Sequence, residues 1–310
     1  MTTGRMTTGG MTTGEALSPE VVALLTDSGL DLADTARAVR EALDEDLAWG
    51  PDVTTAALPG VAVPTLAEVV ARQPGVLAGL PVAVAVLAAA GLPHAGTGLL
   101  RRDGEQVASG DAVLRIQGPL EVVLRAERTV LNFLTHLSGV ATSTRAWVDA
   151  VAGTGCIVRD TRKTIPGLRR LEKYAVRCGG GTNHRMGLGD AALVKDNHVA
   201  AAGGITAAVA AVREAWPGVP LEVECDTLGQ VSEALAAGVS LILLDNMGLD
   251  DLRAAIALGS HYPAARFEAS GGLRLATARA VAETGVHYIA VGALTHSSPA
   301  LDLALDLQQP

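Results

Sequence analysis

Residues 219–246 read VPLEVECDTLGQVSEALAAGVSLILLDN and contain two short apolar runs joined by an Ala-rich segment. The runs at 221–223 and 241–244 have the length of strands, and the segment at 228–237 has helical spacing of its apolar residues. This order predicts a parallel β-α-β unit, because parallel neighbours need a crossover connection, usually a helix. A carboxylate follows each strand: Glu224 after the first and Asp245 after the second.

The same pattern extends through the second half of the chain, where short apolar runs recur roughly every 20–30 residues. The six clear runs lie at 156–158, 191–194, 221–223, 241–244, 266–267 and 288–291. Ala-rich segments with helical spacing, such as 205–216 and 275–284, lie between them. A polar residue or glycine follows each run, which predicts an α/β barrel with its reactive groups at the C-terminal ends of the strands. One or two further strands are expected, near 177–182 or before the long helix. An open doubly wound sheet also fits the periodicity, but it would bind its ligand at one switch point.

The N-terminal part predicts a separate α+β region of about a hundred residues. Helical spacing runs from 18 to 40, starting with a capping Ser18 and Pro19, and 50–55 predicts a turn with a short extended piece. Strands are expected at 66–71 and 113–116, around a buried helix at 80–92. A long helix starts near Leu120 and continues past Trp147.

Charge is distributed unevenly along the chain. The formal net charge is −9, which disfavours nucleic-acid and membrane partners. Residues 159–195 nevertheless contain nine Lys or Arg and three Asp or Glu. A basic segment in an acidic chain favours an anionic small molecule as the ligand. For the helix that carries Arg169, Arg170, Lys173 and Arg177, a solvated basic face is an equally good explanation.

Three features bear on localisation. The Met-Thr-Thr-Gly repeats of residues 1–14 predict a disordered tail with no signal-peptide core. The apolar stretch at 80–92 is too short to span a bilayer, which needs about 20 residues. The scattered cysteines, Cys156, Cys178 and Cys225, predict reduced thiols and not a disulfide or zinc framework. Together these features predict a cytoplasmic protein.

Two segments carry cations of the kind that bind carboxylates and phosphates. Residues 159–164 read RDTRKT after the first barrel strand, and His184 and Arg185 follow a later turn. Arginine pairs with a carboxylate through two parallel hydrogen bonds, whereas lysine offers phosphate a compact charge. Lys195 follows the next strand; its alternative role is an ion pair with Asp196, and that of His184 is a structural hydrogen bond.

The remaining strand ends carry carboxylates and glycines. Glu224 and Asp245 would face a ribose, Mg²⁺ or a cationic ribosyl carbon, although such a pair also resembles a glycosidase dyad. Glycine turns expose backbone N–H groups, and the late loops of barrels are a common phosphate site. These turns are Ser270-Gly271-Gly272 and Ala290-Val291-Gly292.

Several longer motifs resemble the nicotinate-nucleotide pyrophosphorylase (carboxylating), or quinolinate phosphoribosyltransferase, family. The most specific are RDTRKTIPGLR at 159–169 and EKYAVRCGGGTNHRMGLGDAALVKDNH at 172–198. Further motifs are GPDVTT at 50–55, ARQPGVLAG at 71–79, LLDNM at 243–247, ASGG at 269–272 and VGALTHS at 291–297, together with the segment 127–142. The resemblance covers nearly everything after Ser18.

The resemblance implies an α/β protein with an N-terminal α/β sandwich domain at 15–128 and an incomplete, about seven-stranded α/β barrel at 129–296. The C-terminal segment, 297–310, would pack back on the first domain. The implied reaction joins quinolinate to phosphoribosyl pyrophosphate and forms nicotinate mononucleotide, CO₂ and pyrophosphate, in NAD biosynthesis. The family works as a homodimer or larger assembly with shared active sites.

The resemblance also implies roles for individual residues. Lys163, Lys195, Glu224 and Asp245 would be catalytic, with Mg²⁺ held by the pyrophosphate of the substrate and Glu224 and Asp245 as candidate protein ligands. Arg128 would enter the active site of the partner subunit. The substrate-binding set would comprise Arg128, Thr161, Arg162, Lys163, His184, Arg185, Lys195, Glu224, Asp245, Ser270, Gly271, Gly272, Ala290, Val291 and Gly292.

Three other functions remain open at this point. A sister phosphoribosyltransferase would act on nicotinate or on a molybdenum-pathway compound. Lys195 at a barrel strand end would also suit a Schiff-base aldolase. A non-catalytic barrel would only bind a phosphorylated metabolite.

Overall fold

The computed structural model describes residues 17–58 and 61–308, and the predicted disordered tail at 1–14 lies outside them. The first part contains an antiparallel sheet, a separate two-stranded antiparallel sheet and helices. Its strands are β1 (Pro64–Ala71), β2 (Gly75–Val76), β3 (Thr97–Leu99), β4 (Gln106–Val107) and β5 (Ala112–Pro119). Its helices are α1 (Pro19–Asp27), α2 (Leu32–Leu47), α3 (Val53–Ala57) and α4 (Leu80–Ala89). Helix α4 contacts α1 and α2, and its residues 80–87 are buried, as their apolar composition predicts.

Two predictions for this region are wrong in detail. The helical pattern at 18–40 is two helices, because Gly29 adopts a φ of +71° that ends α1 and turns the chain. The segment 50–55, expected to be a turn with a short extended piece, instead leads into the short helix α3, whose first turn is capped by the Asp52 carboxylate accepting from the Thr55 N–H.

A long helix, α5 (Leu120–Ala150), joins the two parts and runs through the predicted domain boundary at 128/129. The chain returns across it before its last strand, β12 (Leu303–Leu307), which pairs antiparallel with β1. Gly139 permits this crossing, because a β-carbon there would collide with the backbone of Pro299. The C-terminal segment therefore lies in the first sheet, whose order is β12-β1-β5-β3.

The second part contains a parallel sheet with the order β6-β11-β10-β9-β8-β7. Its strands are β6 (Ile157–Arg159), β7 (Ala192–Val194), β8 (Leu221–Cys225), β9 (Leu241–Asp245), β10 (Arg266–Ser270) and β11 (Tyr288–Ala290). Its helices are α6 (Arg169–Cys178), α7 (Asp196–Ala202), α8 (Ile205–Ala215), α9 (Leu228–Ala236), α10 (Leu249–Gly259), α11 (Leu275–Ala282) and α12 (Ala293–His296). The six predicted strands are confirmed, with ends that differ by at most three residues.

One contact shows that this sheet closes. Thr182 forms a parallel bridge with Arg159 and so adds a seventh position beside β6. Two residues later, His184 Nε2 lies 2.7 Å from Glu222 on β8 and 3.4 Å from Glu268 on β10. A segment at the edge of an open sheet would not reach β8, so the sheet curls into an incomplete barrel and the doubly wound alternative is wrong.

Candidate active site

The carboxyl ends of the six parallel strands meet at one mouth of the barrel. Strand register places Asp245 opposite Ser270, and Ala290 opposite Arg159. Lys195 and Glu224 follow on neighbouring strands and form an ion pair. Sequence-predicted residues at the ends of all six strands therefore lie along one continuous rim.

The loop after β6 packs against the loop after β11. A β-carbon on Gly292 would lie 3.0 Å from Lys163 Cδ and 3.3 Å from Thr161 Oγ1. The Thr295 hydroxyl also donates to the carbonyl of Lys163 at 2.7 Å. Ala290 and Val291 are buried, so this loop offers a ligand its backbone groups beside the Lys163 and Thr161 side chains.

The loops after β9 and β10 pack closely together, and this contact requires a glycine at position 271. Gly271 has a φ of +84°, and a β-carbon there would collide with the Asn246 side chain. Asn246 itself has a φ of +54° and donates its backbone N–H to the Ser270 carbonyl at 2.9 Å. Its side-chain amide donates to Asp245 Oδ2 at 2.7 Å, which orients that carboxylate at the rim.

Arg162 and Arg185 form a cationic pair near the mouth. The Nε and Nη1 atoms of Arg162 are buried, and no group in the described chain accepts from them. Burial and the charge of Arg162 together lower the pKa of Arg185 from its ordinary value. Arg185 donates to the carbonyl of Ala191 at 3.0 Å. Two neighbouring guanidinium groups, one of them with unused donors, are suited to an anionic, planar ligand.

His184 is fixed by hydrogen bonds to both its backbone and its ring. Its backbone N–H donates to Asp160 at 2.9 Å, and its carbonyl accepts from Lys173 at 2.9 Å. Nδ1 accepts the N–H of Arg185 at 2.7 Å, so the ring proton is on Nε2, which donates to Glu222 at 2.7 Å. Both ring nitrogens are thus engaged with protein groups.

Two buried glutamates lie beneath His184. Glu222 and Glu268 are 3% and 0% exposed, and Glu268 also binds Arg159 at 2.6 Å. Burial and the nearby charge of Glu222 raise the pKa of Glu268 to about 7. Ligand atoms of His184, Glu222 and Glu268 lie within 4.8 Å of one another, as in metal sites. The proton on Nε2 and the Arg159 contact make this cluster a poor fit for a cation.

Other predictions concern single residues. Lys195 pairs with Glu224 and not with Asp196. The solvated-face interpretation of the basic helix is wrong for Lys173, which is fully buried and paired with Asp160. Arg170 is half exposed and pairs with Asp31. Arg128 is exposed on α5.

Sequence reasoning did not assign Asp160, Glu172, Glu222 or Glu268 to the site. A partial signal existed for Glu222, because it interrupts an apolar strand two positions before Glu224, on the same face. Glu268 directly follows the apolar run at 266–267, so its only sequence signal is its place at a strand end.

A parallel barrel whose strand ends bring together arginines, lysines, carboxylates and glycine turns defines an enzyme that acts on anionic small molecules. Two sequence models match the chain: "Quinolinate phosphoribosyl transferase, N-terminal domain" at residues 52–138 and the corresponding C-terminal domain at 140–306. The chain belongs to the quinolinate phosphoribosyltransferase family, as its motifs predicted.

Relatives support this assignment over nearly full length. The chain is 49% identical to nicotinate-nucleotide pyrophosphorylase [carboxylating] of Mycobacterium leprae, covering 92% of this chain and all of that protein. It is 38% identical to the human protein of the same description, covering 83% and 87%. The solved nicotinate-nucleotide pyrophosphorylase of Francisella tularensis matches with a TM-score of 0.85 and 36% identity, covering 90% and 98%. The α/β fold with an N-terminal sheet domain and an incomplete barrel is that of these structures.

Proposed function

We propose that this chain is a pentosyltransferase that joins quinolinate to phosphoribosyl pyrophosphate, releasing CO₂ and pyrophosphate and forming nicotinate mononucleotide for NAD biosynthesis. The observation that carries the proposal is Arg162, whose buried Nε and Nη1 donors have no acceptor among the described residues, with the guanidinium charge of Arg185 beside it. Quinolinate presents two adjacent carboxylates on a flat ring, which two planar guanidinium groups can bind side by side. A mononucleotide or metabolite with a single carboxylate would use only part of this set.

The remaining rim residues match the second substrate. Lys163 and Thr161 lie beside the Gly292 loop, where backbone N–H groups and a lysine can hold a phosphate. Glu224 and Asp245 end neighbouring strands and would face the ribose. Lys195 lies on the Glu224 side of the rim and would contact both substrates, with His184 beneath the quinolinate ring.

We also propose that Mg²⁺ binds at the barrel mouth, because carboxylate oxygens are available there. The carboxylates of Glu224 and Asp245 lie at adjacent strand ends, and Mg²⁺ is typically held by one or two carboxylates and substrate phosphates. When bound, it would neutralise charge on the pyrophosphate group.

The chemistry follows from the electron flow. The ring nitrogen of quinolinate donates its lone pair to the ribosyl carbon, and the bond to pyrophosphate breaks with its electrons leaving on oxygen. Glu224 and Asp245 stabilise the positive charge that develops on the ribosyl carbon. The nitrogen is now a pyridinium, which stabilises the electron pair left on C2 when the adjacent carboxylate departs as CO₂, and C2 then takes up a proton. The protein supplies orientation and charge, and none of these steps requires a covalent nucleophile.

A homodimer with shared sites is also proposed. Arg128 is exposed on α5, and the neighbouring Thr129 hydroxyl donates to Asp46 at the end of α2 at 3.0 Å. Just beyond Asp46, Trp49 and Val53 are 99% and 72% exposed. Exposed aromatic and aliphatic side chains together with an exposed arginine are of the kinds found at protein interfaces. A second copy covering this surface would bring Arg128 to the partner's barrel mouth.

A cytoplasmic location is consistent with the cysteines. Cys156, Cys178 and Cys225 are free thiols, as a reducing compartment allows. No helix in the described ranges has both the length and the apolarity that a membrane span requires.

The test is formation of nicotinate mononucleotide from quinolinate, phosphoribosyl pyrophosphate and Mg²⁺, with release of CO₂ and pyrophosphate measured together. Replacing quinolinate by nicotinate should abolish turnover, because one of the two carboxylates is missing. Turnover with nicotinate alone would instead assign a non-decarboxylating transferase. If no pyrophosphate is released from phosphoribosyl pyrophosphate with either quinolinate or nicotinate, the proposal is refuted. Trapping of a Lys195 adduct by borohydride would favour an aldolase.

A further inference from the structure

Helix α6 (Arg169–Cys178) carries three charged residues whose partners lie in the two segments that bear the substrate-binding cations. Arg169, Glu172 and Lys173 occupy positions i, i+3 and i+4, so they share one face of the helix. Glu172 and Lys173 are both 0% exposed, which is rare for charged side chains unless each is paired. The function proposed above gives these three residues no role.

Glu172 holds the first segment, the loop that carries Arg162 and Lys163. Its Oε2 accepts the backbone N–H of Ile165 at 3.1 Å, and its Oε1 lies 2.9 Å from His136 Nε2 on α5. The loop is therefore tied to two helices at once.

Lys173 holds the second segment, which carries His184 and Arg185. Its ammonium pairs with Asp160 and donates to the His184 carbonyl at 2.9 Å. Asp160 in turn accepts from the Asn183 side chain at 2.5 Å and from the His184 N–H at 2.9 Å.

Arg169 bridges both segments. Its guanidinium donates to the Thr164 hydroxyl at 3.0 Å and to the Arg162 carbonyl at 3.4 Å in the first segment. It also donates to the carbonyl of Met186 at 3.3 Å, directly after Arg185. One side chain thus sets the separation between the backbones of Arg162 and Arg185.

We propose that α6 is the common anchor of the carboxylate pocket and that Arg169, Glu172 and Lys173 are positioning residues, which fix the spacing of Arg162 and Arg185 without touching the substrate. Their spacing must match the two carboxylates of the ligand, so a small displacement costs affinity. This proposal rests on the quinolinate specificity proposed above.

The test compares Arg169→Met with Arg170→Met, a matched change at the next position of the same helix. Arg170 is exposed and pairs with Asp31, outside both segments. In calorimetric titration, Arg169→Met should weaken quinolinate binding by about tenfold or more, the scale of a lost charge-assisted hydrogen bond. The quinolinate affinity of Arg170→Met should stay within about twofold of wild type. In Arg169→Met, the KM for phosphoribosyl pyrophosphate should change less than the KM for quinolinate. Equal quinolinate affinities for the two variants would overturn the proposal.

A double-mutant cycle tests whether Arg169 acts through Arg162. In an Arg162→Met background, Arg169→Met should add much less than its effect alone, because the cation that it positions is gone. Full additivity would contradict the positioning role. Glu172→Gln keeps an acceptor for the Ile165 N–H and should retain more quinolinate affinity than Glu172→Met. A higher affinity in Glu172→Met than in Glu172→Gln would contradict the positioning role of Glu172.

Amide hydrogen exchange tests the anchor without any substrate. In Arg169→Met, exchange should accelerate at 161–165 and 183–187 and remain at the wild-type rate in β8 and β9, whereas Arg170→Met should show neither change. Unchanged exchange in both segments would refute the anchor. If the wild type fails to bind quinolinate but the exchange pattern is as expected, the proposed function fails and the anchor stands.

Discussion

Replacing Arg162 by methionine should separate affinity from stability. Two of its guanidinium nitrogens are buried and have no acceptor in the described chain, while Arg185 contributes a second positive charge nearby. In the free protein, these donors have lost solvent without gaining a protein acceptor, and the like charge of Arg185 adds repulsion. Arg162→Met removes both penalties and keeps most of the side-chain volume.

The magnitudes follow from hydrogen-bond energetics. A hydrogen bond to a charged group contributes about 1.5–3 kcal/mol, so two of them to a carboxylate amount to about 3–6 kcal/mol. Quinolinate affinity should therefore fall by roughly 10²–10⁴-fold. A buried donor without a partner costs about 1–3 kcal/mol, so the free variant should be as stable as the wild type or more stable by up to that amount.

Two measurements on the same variant check this reasoning. Calorimetric titration gives the quinolinate affinity, and urea unfolding without substrate gives the free energy of unfolding. Arg162→Lys is the matched control, since it keeps the charge but cannot form two parallel hydrogen bonds, and its affinity should lie between the other two. A variant that loses more than about 1 kcal/mol of stability while binding quinolinate normally would show that Arg162 is structural.

Three further predictions concern the pairs around this site. Lys173→Met should lower the free energy of unfolding by about 3–5 kcal/mol, because it leaves the buried Asp160 carboxylate without its cation, and Asp160→Asn in the same chain should recover part of the loss in urea unfolding. No recovery in the double variant would mean that the pair is not the cause. The folded-state pKa of Glu268, about 7, lies above its ordinary value of 4.5, so this group favours the folded state at low pH and its contribution is lost as pH rises from about 4.5 to 7. The free energy of unfolding of Glu268→Gln, relative to that of the wild type, should consequently be higher at pH 8 than at pH 5. A difference in unfolding free energy that does not change with pH would contradict the raised pKa. Arg128→Ala should abolish turnover, and mixing it with inactive Arg162→Ala should restore part of the activity, because a mixed dimer assembles one intact site; no recovery after verified subunit exchange would place Arg128 outside the partner's pocket.

The amino-acid sequence alone determined the class of fold and most of the rim. The regular alternation of apolar runs and Ala-rich segments is a local property, and it located all six barrel strands and the long helix α5. Because a parallel strand ends where its apolar run ends, the sequence places Lys195, Glu224 and Asp245 at strand ends. The motifs around 159–198 were specific enough to indicate the family, which the comparisons confirm.

Tertiary structure decided which charges pair with which. The buried charged residues are separated in sequence from their partners; they are Asp160, Lys173, Glu222 and Glu268. The periodicity of the sequence does not predict that Lys173 is buried against Asp160 while Arg170 faces solvent. Closure of the barrel, which places His184 against Glu222, depends on the twist of the sheet summed over seven strand positions. Burial then makes each of these pairings necessary, since a charge removed from water is tolerated only beside its counterpart, and burial is a property of the folded chain as a whole.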